Sequence, residues 1–157
     1  MVEATLQKFG YPTTLVARRR SWAVLCRPQQ PTLGSLVLIC LEPVQAFGEV
    51  SPAAFAELQI VVKELEAALA GFVGYSKMNY LMLMMVDPDV HFHVIPRYEG
   101  SRSFGGLSVT DAGWPGPPAL APAAEPDAAE LEALVAELRR RWPSADQSSS
   151  PTPWPGA

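Results

Sequence analysis

An excess of positive charge is missing from this 157-residue chain: acidic side chains outnumber basic ones, the net charge is -4 and the isoelectric point lies near 5.1. A protein that grips duplex DNA or RNA needs a basic face to neutralise phosphates, so that class is excluded. The basic clusters Arg18-Arg19-Arg20 and Arg139-Arg140-Arg141 fall at a turn and at a helix end, where solvent suits them. Long apolar runs are missing too. Leu36 to Leu41 and Tyr80 to Val86 are the longest, far short of the ~20 residues a membrane span requires. The N-terminal stretch lacks a signal-peptide core, and the protein is expected in the cytoplasm. Cysteine is limited to Cys26 and Cys40, with no Cys-x-x-Cys. A structural zinc is unsupported, a disulfide does not suit the compartment, and each thiol reads as a small buried residue. Neither glycine-rich phosphate loop occurs, nor does a Gly-x-Ser-x-Gly elbow.

Histidine is equally scarce, and both copies fall in one stretch, Asp89-Val-His91-Phe-His93-Val-Ile95-Pro-Arg97. On a strand, alternate side chains share a face, so Asp89, His91, His93 and Ile95 point one way while Val90, Phe92 and Val94 point into the core. The two rings are then roughly 7 Å apart at the backbone. Imidazole serves as nucleophile, proton carrier or metal ligand, and a structural histidine is the bland alternative.

The rest of the chain reads as an α+β domain. Thr13 to Ala17, Ser21 to Cys26 and Ser35 to Leu41 are successive antiparallel strands. Ser51 caps a helix with Pro52 at its first position, and Phe55, Leu58, Val62, Leu65, Leu69 and Phe72 form its apolar stripe. From Ser76 a period of two returns and runs to Met85, with Lys77 and Asn79 on one face and a methionine stripe read as core filling on the other. Asp87-Pro88 turns the chain into the histidine strand, which pairs antiparallel with this one and brings Asn79 near His91 or His93. Tyr98 to Gly106 reads as a loop and residues 112–126 as a proline-rich connection. Asp127 with Glu130 opens a last helix over 127–142, whose stripe is Leu131, Leu134, Val135, Leu138 and Trp142. Residues 1–142 form one domain, and 143–157, rich in serine and proline, read as a disordered tail.

Which chemistry suits the histidine pair is less restricted. A His-x-His metal site completed by Asp87 or Asp89 is one reading, although a cupin-like site calls for a third histidine that does not exist here. Serine or cysteine hydrolysis lacks its nucleophile. Phosphorus chemistry on histidine remains, and here the residues carry a resemblance. Asp89-Val-His91-Phe-His93-Val-Ile-Pro-Arg97 resembles the His-x-His-x-His signature of the histidine-triad family. Lys77-Met-Asn79 resembles the Lys-x-Asn that precedes it in the bacterial branch near diadenosine polyphosphate hydrolases, and Asp111-Ala-Gly-Trp114-Pro115 resembles an Asp-x-x-Trp-Pro that follows it.

The resemblance implies a five-stranded antiparallel sheet, with a long helix after the third strand and a C-terminal helix, commonly in a homodimer. It also implies a hydrolase or nucleotidyl transferase acting on phosphoanhydride or phosphoramidate bonds of purine nucleotides or dinucleoside polyphosphates, with no cofactor or metal. His91 matches the nucleophile that forms a nucleotidyl-histidine, and His93 matches the third position, beside a phosphate oxygen. Asn79 and Lys77 match the approach to the nucleotide, and Arg97 is a further candidate there, read as pointing oppositely to His91 and His93 only if strand geometry persists past Pro96. The departure is Asp89, where the family has its first histidine. Its carboxylate either repels phosphate or orients an imidazole. If it costs turnover, the chain is a nucleotide-binding module of the same fold.

Overall fold

The order of apolar runs and turn residues sets out seven strands and three helices in the computed structural model, which describes residues 2–143. The tail expected over 143–157 lies, apart from Pro143, outside the described residues. Helix α1 spans Val2–Lys8. Strands β1 (Leu15–Arg18), β2 (Trp22–Cys26) and β3 (Leu36–Cys40) follow, then α2 (Pro52–Val73), β4 (Lys77–Leu81), β5 (His91–Arg97), β6 (Ser101–Phe104), β7 (Leu107–Thr110) and α3 (Ala128–Arg141). The main sheet has the order β1-β2-β3-β5-β4, antiparallel throughout. The α+β class, the five-stranded sheet, the long helix and the C-terminal helix are those expected.

Helix α2 begins where Ser51 accepts a hydrogen bond from the Ala54 N–H at 3.1 Å, and Pro52 follows without the amide that a first turn leaves unpaired. It stops at Gly74, whose left-handed backbone (φ 57°) suits a residue without Cβ. Its buried stripe is Ala54, Val61, Leu65, Ala68, Leu69 and Val73, rotated from the one expected. Phe55 is largely exposed, and the small Ala54 and Ala68 take the seam, where Trp22 donates from Nε1 to the Ala54 carbonyl at 2.8 Å. Glu64 is buried as well, and two donors meet it: the Arg19 guanidinium and Trp142 Nε1 at 2.7 Å.

Helix α3 opens with the expected capping box, Asp127 accepting from the Glu130 N–H and Glu130 from the Asp127 N–H. It packs beside α2, and Arg139 reaches from it to the Leu15 carbonyl of β1. Two helices thus cover one face of the sheet over the larger hydrophobic cluster, while α1 covers the other over Leu6, Phe9, Leu25, Val37 and Ile39.

Three segments depart from the sequence reading. The N-terminal stretch, assigned no element, folds as α1. The loop expected after Tyr98 is the β6–β7 hairpin, turning at Gly105 (φ 57°). The strand expected to reach Met85 ends at Leu81, and Met84 adopts a positive φ of 53° as the chain swings away from the sheet. The methionines are therefore only partly core: Met82 and Met84 pack against it, whereas Met85 and Val86 are among the most exposed large apolar side chains described.

Candidate functional site

Antiparallel register places His91 opposite Ile39 and His93 opposite Val37, both members of the cluster beneath α1. The shared face predicted by strand alternation is therefore the α1 face. The imidazole centroids lie 5.3 Å apart, nearly edge-on at 79°, and Phe9, just past α1, stands 6.2 Å from His91 and 5.9 Å from His93. Both histidines are buried, yet they line a cavity of about 420 Å³ together with Lys8, Phe9, Arg27 and the loop 83–87.

His91 has a defined tautomer. Its Nδ1 lies 2.6 Å from the Asp89 backbone carbonyl, which can only accept, so Nδ1 carries the proton and, in the neutral ring, Nε2 keeps its lone pair. His93 is held neutral. Burial, then the charge of Arg27 and the proximity of His91, lower its pKa to about 4. Among the described residues no group partners its Nδ1.

Asp89 answers the question its substitution raised. Its carboxylate accepts a hydrogen bond of 2.5 Å from Thr5 of α1, and it lines a different cavity, beside Val2 and Glu3. The side chain that would have repelled phosphate is thus turned into the α1 contact, and the same residue orients His91 through its main chain. Asp87 pairs with Lys8 at 2.8 Å, a second tie between α1 and the segment leading to the histidines.

Arg97, Asn79 and Lys77 lie at the far end of β4 and β5. The strand does persist past Pro96, and alternation then gives Arg97 the parity of His91 and His93 rather than the opposite one expected, but its guanidinium is engaged. It donates to Asp111 at 2.7 and 3.1 Å, to Asn79 Oδ1 at 2.7 Å and to the Gly116 carbonyl at 2.9 Å. Burial alone would raise the Asp111 carboxyl; hydrogen bonds from Arg97 and the Tyr98 N–H outweigh it and hold its pKa low. Asn79 pairs with Ile95 and Lys77 with Arg97, beyond the row of His93, and none of the three lines the histidine cavity. Thr5, Lys8, Phe9 and Arg27 escaped the sequence reading. The weak period of so short a helix could have hinted at the first three, and nothing local marks Arg27.

Among the described residues no group of three or more His, Cys, Asp and Glu side chains is placed to hold a metal ion. Burial raises the thiol pKa values of Cys26 to about 12 and Cys40 to about 11, so neither supplies a thiolate near neutrality. No described helix is long and apolar enough to cross a membrane.

No family model and no curated protein matches the chain. Solved structures do. A histidine triad protein from Bradyrhizobium japonicum superposes with a TM-score of 0.70 at 21% identity, covering 88% of this chain and 95% of that one. A histidine triad protein from Sinorhizobium meliloti gives 0.69 at 21%, covering 88% and 93%. A hypothetical histidine triad nucleotide-binding protein from Sulfolobus tokodaii gives 0.65 at 18%, covering 90% and 91%. These superpositions each span most of both chains, and the chain has the histidine-triad fold.

Proposed function

We propose that this chain belongs to the histidine-triad family and hydrolyses or transfers nucleotidyl groups through His91. The observation that carries the reading is the 2.6 Å contact of His91 Nδ1 with the Asp89 carbonyl, which leaves Nε2 as the free nucleophile of a cavity wall. In the first step Nε2 bonds to the α-phosphorus of a nucleotide, and the bond from phosphorus to the leaving group breaks with its electron pair on that group. In the second, water attacks phosphorus, the N–P bond breaks onto Nε2, a proton passes to solvent, and the nucleoside monophosphate departs. His93, neutral at pH 7, donates its ring N–H to a non-bridging oxygen as charge builds there. No step calls for a metal.

Purine nucleotides and dinucleoside polyphosphates are the substrates this reading favours, with the chain acting in the cytoplasm as a homodimer. Asn79 and Arg97, hydrogen-bonded to each other outside the histidine cavity, brace the strand pair that carries it, and Lys77 has no part in this reading.

Incubation with α-³²P-labelled ATP or diadenosine tetraphosphate, quenched in alkaline detergent, tests it. Label retained on wild-type protein in an alkali-stable, acid-labile form and absent from His91→Ala, together with a fall in AMP release of about a thousandfold or more in the variant, is the expected outcome. Equal turnover by the variant would remove His91 from the chemistry. One observation favours the binding-module reading: with Asp89 engaged by Thr5 and Asp87 paired with Lys8, no unpaired carboxyl group among the described residues lines the histidine cavity. Tight nucleotide binding with neither label nor release would select it.

A further inference from the structure

We infer that Arg27 forms a second anion subsite of the histidine cavity, holding a phosphate of the ligand beyond the one that faces His91, and so selects nucleoside polyphosphates over monophosphate derivatives. The identity of the ligand rests on the nucleotide reading above. The sign of its charge does not.

Position comes first. Arg27 follows β2, and its N–H continues the ladder by donating to the Ser35 carbonyl at 3.0 Å. Leu25 shares a sheet row with Val37 and His93, and Ala23 shares one with Ile39 and His91. Alternation makes Arg27 the next residue on that face, one row past His93 on the side away from His91. Rows are two residues apart, roughly 7 Å, so a ligand that meets His91 and Arg27 together extends along the strand past His93.

The guanidinium is also short of partners. Its Nη1 donates to the Gln29 carbonyl at 3.0 Å, whereas its buried Nε meets no acceptor. Among the described residues the buried side-chain nitrogens and oxygens without a partner are this Nε and His93 Nδ1, and both residues line the same cavity. Native folds compensate such atoms with water, an ion or a ligand, or keep them for catalysis. The other cation there, Lys8, has Asp87, while no ion pair is formed by Arg27 among the described residues. Burial lowers the pKa of the guanidinium, and its charge helps to lower that of His93. An anion between them would relieve both, and arginine's planar fork suits phosphate oxygens.

The leaving group points the same way. When His91 Nε2 attacks the α-phosphorus of a phosphoanhydride, the P–O electron pair leaves on the next phosphate as an anion, and no proton has to be delivered. A phosphoramidate must instead have its nitrogen protonated, and among the described residues no carboxylic acid lines this cavity apart from Asp87, which is paired with Lys8.

The test is calorimetric titration of the full chain, without divalent cations, by AMP, ADP, ATP and inorganic tripolyphosphate, for wild type, Arg27→Gln and Arg27→Lys. Wild type should prefer ATP to AMP by about tenfold or more, Arg27→Gln should collapse that ratio to within about threefold, and Arg27→Lys should retain part of it. Melting curves confirm that the variants fold. A flat series in wild type, or an equal loss for AMP and ATP in Arg27→Gln, would overturn the subsite. Tripolyphosphate binding that depends on Arg27 without binding of any nucleotide would sink the nucleotide reading and leave the subsite standing. Binding of neither would remove both.

Discussion

Beneath α2 and α3 the sheet buries Trp22, Leu38, Leu65, Leu69 and Leu134, with Glu64 the conspicuous polar intruder and both of its oxygens engaged. Beneath α1 the opposite face buries a smaller cluster and sets Thr5, Asp89, His91 and His93 among it. Both unpartnered buried nitrogens described belong to residues on that second side. The same five strands thus serve a dry core on one face and a polar site on the other. Because hydrophobic burial scales with apolar area, the first face can carry the stability that leaves the second free to hold groups at a cost.

The largest expected effect strikes the first face. Leu65→Ala removes a side chain with no exposed surface and should lower the unfolding free energy by about 2–5 kcal/mol, read from denaturant midpoints. Nucleotide binding by the folded fraction should be unchanged. Leu6→Ala, on the buried side of the short α1, should cost less because the helix can settle into the space. An equal cost at both positions would erase the division.

A smaller effect separates the faces by pH. His93 has a folded pKa of about 4, below the ordinary 6.5, so between those values the unfolded chain binds more protons than the folded one. Its neutral burial therefore contributes fully above about pH 6.5, and the contribution is lost as pH falls toward 4. Between pH 7 and pH 5 wild type should lose about 2 kcal/mol from this group, a loss absent from His93→Gln. Urea titrations at the two pH values, compared between the proteins, give the difference directly. Parallel losses in both would show that His93 titrates as it does in water.

How much of this was legible follows the same division. The α2 and α3 face announces itself through repeated large apolar residues, a serine-proline start and an aspartate-glutamate box, signals that depend on neighbours in sequence. Even there the α2 stripe is rotated, because close packing against the sheet chose Ala54 and Ala68 over Phe55. On the α1 face the His-x-His alternation fixed the side on which the rings lie, yet their surroundings come from far away. Thr5 lies 84 residues from Asp89, and Lys8 lies 79 from Asp87. No local pattern encodes such pairs, which is why Asp89 could be read from sequence with either sign.

The finest probe is the hydrogen bond that settles that sign. Thr5→Val keeps the shape of the side chain and removes only the donor to Asp89 Oδ2, leaving a carboxylate in a place 3% exposed without its α1 partner. A lost bond to a charged acceptor at a helix that can shift to admit water should cost about 1 kcal/mol, and Thr5→Ser should recover most of it. The functional consequence is more specific than the stability change. The carbonyl that holds His91 Nδ1 belongs to the residue whose side chain Thr5 pins, so loosening one end frees the other. Turnover should therefore fall in Thr5→Val with KM nearly unchanged, because the nucleophile is misaligned while the ligand's contacts with Arg27 and His93 persist. A rise in KM at constant kcat would instead mean that α1 acts as a wall of the binding cavity and that the main-chain carbonyl of Asp89 holds its position without help.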